Sequence, residues 1–355
     1  MPPRFHTLTI AEVRRETADA ISVRFAIPPA LAGEYTFVQG QHITLKAQVD
    51  GTELRRSYSV CAGVDDGELR VAIKRVPGGA FSTWANRCLR AGIALDVLTP
   101  EGRFHTPLGG ERAKHYVAFA AGSGITPVLS LVKTTFAREP ESRFTLLYGN
   151  QRQATVLFHE ELEDIKDRHL SRFVLHHIFS REQQEVALFN GRLDGAKVRA
   201  FVDTLLPVDS IDEAFICGPG GMIDDVEAAL TQCGLAPDRI HTERFGLLQS
   251  GEGHHVEAQD APAARIDLLV DGVLRKVDFR NSDASILDAA LARGVELPYS
   301  CKGGMCCTCR AKVLEGRVRM DKNYSLEKRD LDAGFVLVCQ SHPLTEHVVL
   351  SYDDR

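Results

Sequence analysis

The residues best suited to chemistry lie near the C-terminus. Cys301, Cys306 and Cys309 stand in the order C-x4-C-x2-C, and 29 residues separate Cys309 from Cys339. Thiolates at this spacing hold a [2Fe–2S] cluster: three sulfurs converge from one tight loop and a distant fourth closes the cage. Gly303 and Gly304 let the loop fold back with no Cβ in the way. Backbone N–H groups in such a loop can then point at the sulfurs and tune the potential. A structural zinc site would use two C-x2–4-C knuckles, and only one short pair is present. A disulfide set would require an oxidising compartment, which nothing else suggests. Cys307 reads as a small packing residue, since putting it in place of Cys306 gives C-x5-C-x-C, which fits no common spacing.

Four further segments have the makings of phosphate and ring sites. In Arg56-Ser57-Tyr58-Ser59-Val60, Arg56 can pair with a phosphate, Tyr58 can lie on a flat ring and Ser59 can hydrogen-bond a ring nitrogen. Lys74 precedes Gly78-Gly79, a turn that opens a helix with Ser82 in its first turn and offers free N–H groups to an anion. Gly122-Ser123-Gly124-Ile125-Thr126-Pro127 follows an apolar run; its glycines let the backbone approach a pyrophosphate, and Pro127 stands where a Rossmann fingerprint has its third glycine. Cys217-Gly218-Pro219-Gly220-Gly221-Met222 ends another apolar run and opens a helix. Arg152, and Ser180 with Arg181, follow other strand ends, where a 2′-phosphate could be received. Alone, each has a plainer reading: an ordinary strand, a helix start, a buried small thiol or a solvated arginine. His176 and His177 alternate faces of one strand, so they cannot share a metal, and they read as structural.

The elements that must position these residues change character along the chain. Phe5–Val13, Ile21–Ile27, His42–Val49, Arg56–Val60, Glu68–Lys74 and Ile93–Leu98 read as short strands, with Asp50-Gly51 and Asp66-Gly67 as hairpin turns. They predict a small antiparallel β-barrel, with one helix over Phe81–Ala91. From 112 to 245, the apolar runs His115–Ala121, Arg143–Tyr148, Phe173–Phe179 and Glu213–Cys217 alternate with the helical stretches Pro127–Phe136, Phe158–Lys166, Lys197–Leu205 and Pro219–Cys233. That alternation means an α/β layer around a parallel sheet. The stretch 247–263 reads as a linker. Beyond it, a hairpin around Asp271-Gly272, a helix over Ser285–Arg293 ended by Gly294, the cysteine loop and strands at Ala311–Leu314, Phe335–Cys339 and His347–Ser351 form a small sheet-plus-helix module.

A length of 355 residues allows about two or three domains. With 42 basic and 48 acidic residues and no Lys/Arg run, no nucleic-acid partner is expected. No run of about 18 apolar residues suggests a membrane span, and the N-terminus lacks a signal core. Nine cysteines, four of them assigned to a cluster, suit a reducing cytoplasm.

Taken in order, R-x-Y-S at 56–59, GG-x-x-S at 78–82, G-x-G-x-T-P at 122–127 and C-G-P-x-G-M at 217–222 resemble the ferredoxin–NADP reductase superfamily, and the cysteine loop resembles plant-type ferredoxins. The likeness covers essentially the whole chain. It implies a FAD-binding β-barrel at 1–108, an NAD(P)-binding α/β domain at 109–246 and a β-grasp ferredoxin domain at 264–355. Reductase first and ferredoxin last is the order in one branch of oxygenase reductases. The segments 305–312 and 189–192 look like the reductase subunits of phenylacetyl-CoA ring epoxidases. Another aromatic-ring or steroid hydroxylase, or a stand-alone electron carrier or redox sensor, would be the alternative setting.

The resemblance implies roles. Arg56 would hold the flavin pyrophosphate, Tyr58 would pack on the isoalloxazine beside Ser57, and Ser59 would sit near flavin N5. Lys74, Gly78, Gly79 and Ser82 would line the flavin phosphates. Gly122, Gly124 and Thr126 would hold the NADPH pyrophosphate, while Arg152, Ser180 and Arg181 would face its 2′-phosphate. Cys217, with Gly218 and Met222, would lie near nicotinamide C4. Phe245 resembles the aromatic that shields the flavin in relatives, although here the chain continues past it. The implied activity moves electrons from NADPH through FAD and [2Fe–2S] to an oxygenase component, because flavin converts a hydride pair into single electrons.

Overall fold

Alternating burial shapes the first sheet. In strand β1 (Phe5–Thr17), Leu8 and Ile10 are buried while Thr9 between them is exposed. Strands β2 (Ala20–Ala26), β3 (His42–Val49), β4 (Thr52–Ser59), β5 (Leu69–Lys74) and β6 (Ala94–Leu98) complete the order β4-β3-β6-β1-β2-β5. The pairs β1–β2, β2–β5 and β3–β6 run antiparallel. At the β3–β4 turn, Asp50 and Gly51 both take positive φ, 50° and 79°, as a two-residue primed hairpin requires. An isolated antiparallel bridge from Val60 to Val71 draws the two edge strands together and rolls the sheet into a half-barrel around Val23, Ile43, Leu45, Ile73 and Val97. Helix α1 (Ala80–Cys88) seals one mouth with Phe81 and Ala85. It ends before the expected Ala91, because Leu89 turns extended at ψ 134°.

The coordinates come from a computed structural model that describes residues 3–110, 113–245 and 263–354. Apart from residue 263, the expected linker lies outside the described residues. Thr7–Leu54 with Tyr58–Phe245 forms one unit. Its second sheet contains β7 (His115–Ala121), β8 (Arg143–Asn150), β9 (Phe173–Phe179), β10 (Glu213–Gly218) and β11 (Ile240–Arg244), in the order β11-β10-β7-β8-β9. Every pairing is parallel. Tyr116–Ala120 are buried without a break, as expected of a strand covered on both faces. The cover comes from helices α2 (Ile125–Arg138), α3 (His159–Arg168), α4 (Gly195–Thr204) and α5 (Gly220–Gln232). Chain order reverses between β7 and β10, which opens a crevice at their carboxyl ends. Strand β11 is absent from the sequence reading: its polar Ile240-His241-Thr242-Glu243-Arg244 becomes a strand only by pairing with β10.

The second unit holds β12 (Ala264–Val270), β13 (Val273–Phe279), helix α6 (Ile286–Ala292), β14 (Arg310–Glu315), the short β15 (Val318–Met320), helix α7 (Lys328–Asp332), β16 (Phe335–Leu337), β17 (Ser341–Pro343) and β18 (His347–Ser351). Its main sheet runs β13-β12-β18-β14-β16, with β12–β18 parallel. Ser285 caps α6 by accepting from the Asp288 N–H. Ile286, Leu287 and Ala290 of α6 pack on Ile266, Leu268, Val348 and Leu350, which gives the β-grasp arrangement. Among the described residues, no helix is long and apolar enough to cross a membrane.

Candidate functional site

The cysteine loop is shaped by residues outside ordinary backbone space. Lys302, Gly304 and Cys307 have φ of 50°, 77° and 56°. Gly304 is needed twice over, since a Cβ there would lie 2.9 Å from the Lys322 carbonyl oxygen. The N–H groups of Gly303 and Met305 donate to Cys301 Sγ at 3.3 and 3.5 Å, the arrangement that tunes a thiolate ligand. Gln340 braces the loop by donating to the Lys302 carbonyl at 2.8 Å. Cys307 packs on the core and reaches the Ser325 carbonyl, as a packing residue should.

The four expected ligands meet in two pairs, Cys301 beside Cys306 and Cys309 beside Cys339. Among the described residues, only His159, Glu163 and His177 bring three ligand atoms all within 4.8 Å of one another. The thiols therefore do not close on a single ion, as a tetrahedral zinc site would demand. Two pairs fit two irons. Cys309 and Cys339 are buried, whereas Cys301 and Cys306 are half-buried, so one side of the cage lies nearer solvent.

In the half-barrel, β4 delivers Arg56, Ser57 and Tyr58 half-buried and Ser59 buried. The Tyr58 ring sits 5.9 Å from that of Phe81. Gly78 takes φ 73°, and Gly79 precedes α1 with no side chain capping the helix, which leaves its first N–H groups open to an anion. The Ser82 hydroxyl accepts from the Val76 N–H at 3.0 Å and so holds this turn from inside. Lys74 lies 3.9 Å from Asp19.

At the switch-point crevice, Gly122 has φ 54° and its carbonyl accepts from Tyr148 Oη at 2.9 Å. A Cβ on Gly124 would stand 2.1 Å from the Cys217 carbonyl oxygen, so the turn and the end of β10 touch backbone to backbone. Thr126 is buried and donates to the Ser123 carbonyl, which shapes the turn. Gly218 faces Met222, whose methyl would lie 2.7 Å from an added Cβ. The loops after β8 and β9 are zipped by Ser180 N–H to Asn150 O and Arg181 N–H to Gln151 O. That brings exposed Arg152, Ser180 and Arg181 to the same end of the sheet. Phe245, 38% exposed, follows β11 directly.

Two residues absent from the sequence reading complete a polar group: His42, which is buried, and Glu243, which is half-buried. Glu243 stands in register with Cys217 across β10–β11 and accepts from Ser59 Oγ at 2.9 Å. His42, at the start of β3, places Nδ1 4.0 Å from the same carboxyl. Burial pushes Glu243 up to about 8 against the opposing Ser59 hydrogen bond, and burial drives His42 down to about 4. Both shifts favour the neutral forms, which sets this pair apart from an ordinary ion pair. Burial also pushes the Cys217 thiol up and keeps it protonated. Ser59 and His42 from the half-barrel thus approach Glu243, the register neighbour of Cys217 in the parallel sheet. A protonated carboxyl there can give or take a proton through the serine hydroxyl.

Comparison with known proteins gives three family matches: an oxidoreductase FAD-binding domain over residues 7–106, an oxidoreductase NAD-binding domain over 119–228 and a 2Fe-2S iron-sulfur cluster binding domain over 268–344. The chain is 46% identical over 351 residues to one of the subunits of 1,2-phenylacetyl-CoA epoxidase of Escherichia coli K12, covering 99% of this chain and 98% of that one. It is 33% identical to the ferredoxin reductase component of 3-ketosteroid-9-alpha-monooxygenase of Rhodococcus rhodochrous, covering 97% and 96%. Among solved structures, phthalate dioxygenase reductase matches 98% of both chains at a TM-score of 0.58 and 24% identity, a likeness of fold.

Proposed function

The chain belongs to the family of oxygenase reductase components that join FAD- and NAD-binding oxidoreductase domains to a 2Fe-2S domain, and from that premise we propose that it serves a phenylacetyl-CoA ring epoxidase with NADPH as donor. The observation that carries the reading is the hydrogen bond from Ser59 to Glu243, the register neighbour of Cys217, which brings the flavin half and the nicotinamide half to one point. The 46% identity along the full length supports the epoxidase over the steroid hydroxylase.

When bound, flavin supplies the conversion of a hydride pair into single electrons, and a [2Fe–2S] cluster carries them onward one at a time. The rest is done by the chain. Arg56 and the open N–H groups at the start of α1 bind flavin phosphates, with Gly78 and Gly79 shaping the turn, Lys74 as a further cation and Ser82 holding the turn. Tyr58, backed by Phe81, packs against the flavin ring beside Ser57. Gly122 and Gly124, shaped by Thr126, admit the dinucleotide pyrophosphate to the switch-point crevice. Arg152, Ser180 and Arg181 receive the 2′-phosphate, and their exposure suits a dianion that stays partly hydrated. Cys217, Gly218 and Met222 bound the nicotinamide pocket, and Cys217, neutral and small, lets the ring approach. Ser59 and Glu243 hold the proton that must follow the electrons, and Phe245, exposed after β11, takes the flavin-shielding role that the resemblance implies. Cys301, Cys306, Cys309 and Cys339 ligate the cluster. These roles accompany domains at 1–108, 109–246 and 264–355 and a cytoplasmic setting.

The test is reconstitution. Purified chain, NADPH and the oxygenase component should epoxidise phenylacetyl-CoA. A chain that oxidises NADPH without supporting that oxygenase, yet drives a steroid hydroxylase, would move the assignment to the latter.

A further inference from the structure

We propose that His159, Glu163 and His177 form a binding site for one divalent ion of the zinc class, separate from the cysteine loop. His159 and Glu163 stand four residues apart on α3 and so share a helix face. That face looks onto β9, which carries His177 at the edge of the parallel sheet. One ligand atom from each lies within 4.8 Å of the other two.

Two further observations favour an ion over a plain packing cluster. Both ring nitrogens of His177 are shut off from solvent, and neither has a hydrogen-bond partner among the described residues. Buried polar atoms are normally satisfied. The Glu163 carboxylate approaches Nε2 only to 3.5 Å, longer than a good hydrogen bond. That separation matches the edge, about 3.3 Å, of a tetrahedron built from the ~2.0–2.1 Å bonds of zinc to nitrogen and oxygen. The His159 and His177 rings lie parallel, 10° apart in plane and 5.6 Å between centroids, so they line one side of the same space. Tyr148 and Phe179 wall the His177 ring at 6.0 and 5.9 Å. His176 faces the opposite way, against Phe189 and Phe201, and does not compete. Lys166, 3.6 Å from Glu163, competes with the ion for that carboxylate.

Two imidazoles and a carboxylate with a fourth position for water form a donor set for zinc, whereas magnesium and calcium require mostly oxygen. All three side chains are half-buried, so the ion can enter from bulk solvent. Once there, it would tie α3 to the sheet's edge strand.

The experiment uses tag-free, full-length protein loaded with FAD and its cluster, kept anaerobic so that the four thiols stay occupied. Calorimetric titration with Zn2+ should show one equivalent bound. Affinity should fall at least tenfold in Glu163→Gln, and binding should vanish in a His159→Ala/Glu163→Gln double variant. Zn2+ should raise the melting temperature of the wild type and not that of the double variant, and Mg2+ should do neither. NADPH-driven flavin bleaching should be unchanged in Glu163→Gln, which shows that the variant is folded. No binding at micromolar Zn2+ would overturn the site, and equal binding by the double variant would mean an adventitious ion only and would overturn it as well.

Discussion

Adding one methyl group at Gly124 separates the account from a generic nucleotide-binding fold. An alanine Cβ there would stand 2.1 Å from the Cys217 carbonyl oxygen, 2.5 Å from its carbon and 2.9 Å from the Gly218 nitrogen. All three are backbone atoms of β10, so no side chain can swing aside. Real Cβ atoms essentially never come closer than 3.0 Å, so the turn and the strand end must separate by at least 3.0 − 2.1 = 0.9 Å. Overpacking of this kind costs about 1–3 kcal/mol of stability, which a chain of this size should survive. The larger effect falls on chemistry, because a misplacement of about 1 Å at a reacting centre can cost roughly 10²-fold in rate. Gly124→Ala should therefore keep its iron and flavin while the rate of flavin bleaching by NADPH, followed by anaerobic stopped flow, falls about 10²-fold. Gly221→Ala is the control: a Cβ there meets nothing within 4 Å, so its rate should match wild type. If Gly124→Ala reduced flavin at the wild-type rate, or both variants were equally slow, the backbone contact between Gly124 and Cys217 would not be what positions the nicotinamide.

Glu243 should give a pH signature. Its folded pKa, about 8, lies above the ordinary 4.5, so its contribution to stability is complete below pH 4.5 and declines as pH rises towards 8, while the unfolded chain ionises freely. The 3.5-unit gap corresponds to roughly 5 kcal/mol in total, and about 3 kcal/mol of that is already lost at pH 7. Glu243→Gln should flatten the melting temperature between pH 5 and 8 relative to wild type, and parallel curves would count against a carboxyl held protonated in the folded chain. Cys309→Ser should lose the cluster yet leave flavin reduction by NADPH intact; simultaneous loss of both would make the two units inseparable. Arg181→Ala should raise KM for NADPH about tenfold, in line with one charge-assisted contact, while leaving that for NADH almost unchanged. An equal change in both would remove Arg181 from the 2′-phosphate site.

Much of this was legible in the sequence for local reasons. The cysteine spacing and its glycines specify a loop without reference to the rest of the chain, and Gly78 and Gly122 announce turns by their freedom at positive φ. The residues that escaped notice depend on partners distant in sequence. Glu243 lies on a strand too polar and short to stand out, made only by pairing with β10. His42 looks like any residue opening a strand until Glu243 is set 4.0 Å away. His177 reads as structural because its sequence neighbour faces the other way; its companions come from α3. Helix α1 stops short of its apolar pattern because Leu89 turns extended, a backbone choice that the composition does not encode.

The most direct test of the central claim is an anaerobic titration of the purified chain with NADPH, followed by absorbance and electron paramagnetic resonance together. Acid-labile sulfide and two irons per chain are expected, with flavin bleaching and then the signal of a reduced [2Fe–2S] cluster bound by Cys301, Cys306, Cys309 and Cys339. Bleached flavin beside a cluster that stays oxidised even with an electron acceptor cycling the flavin, or a preparation without iron, would contradict it.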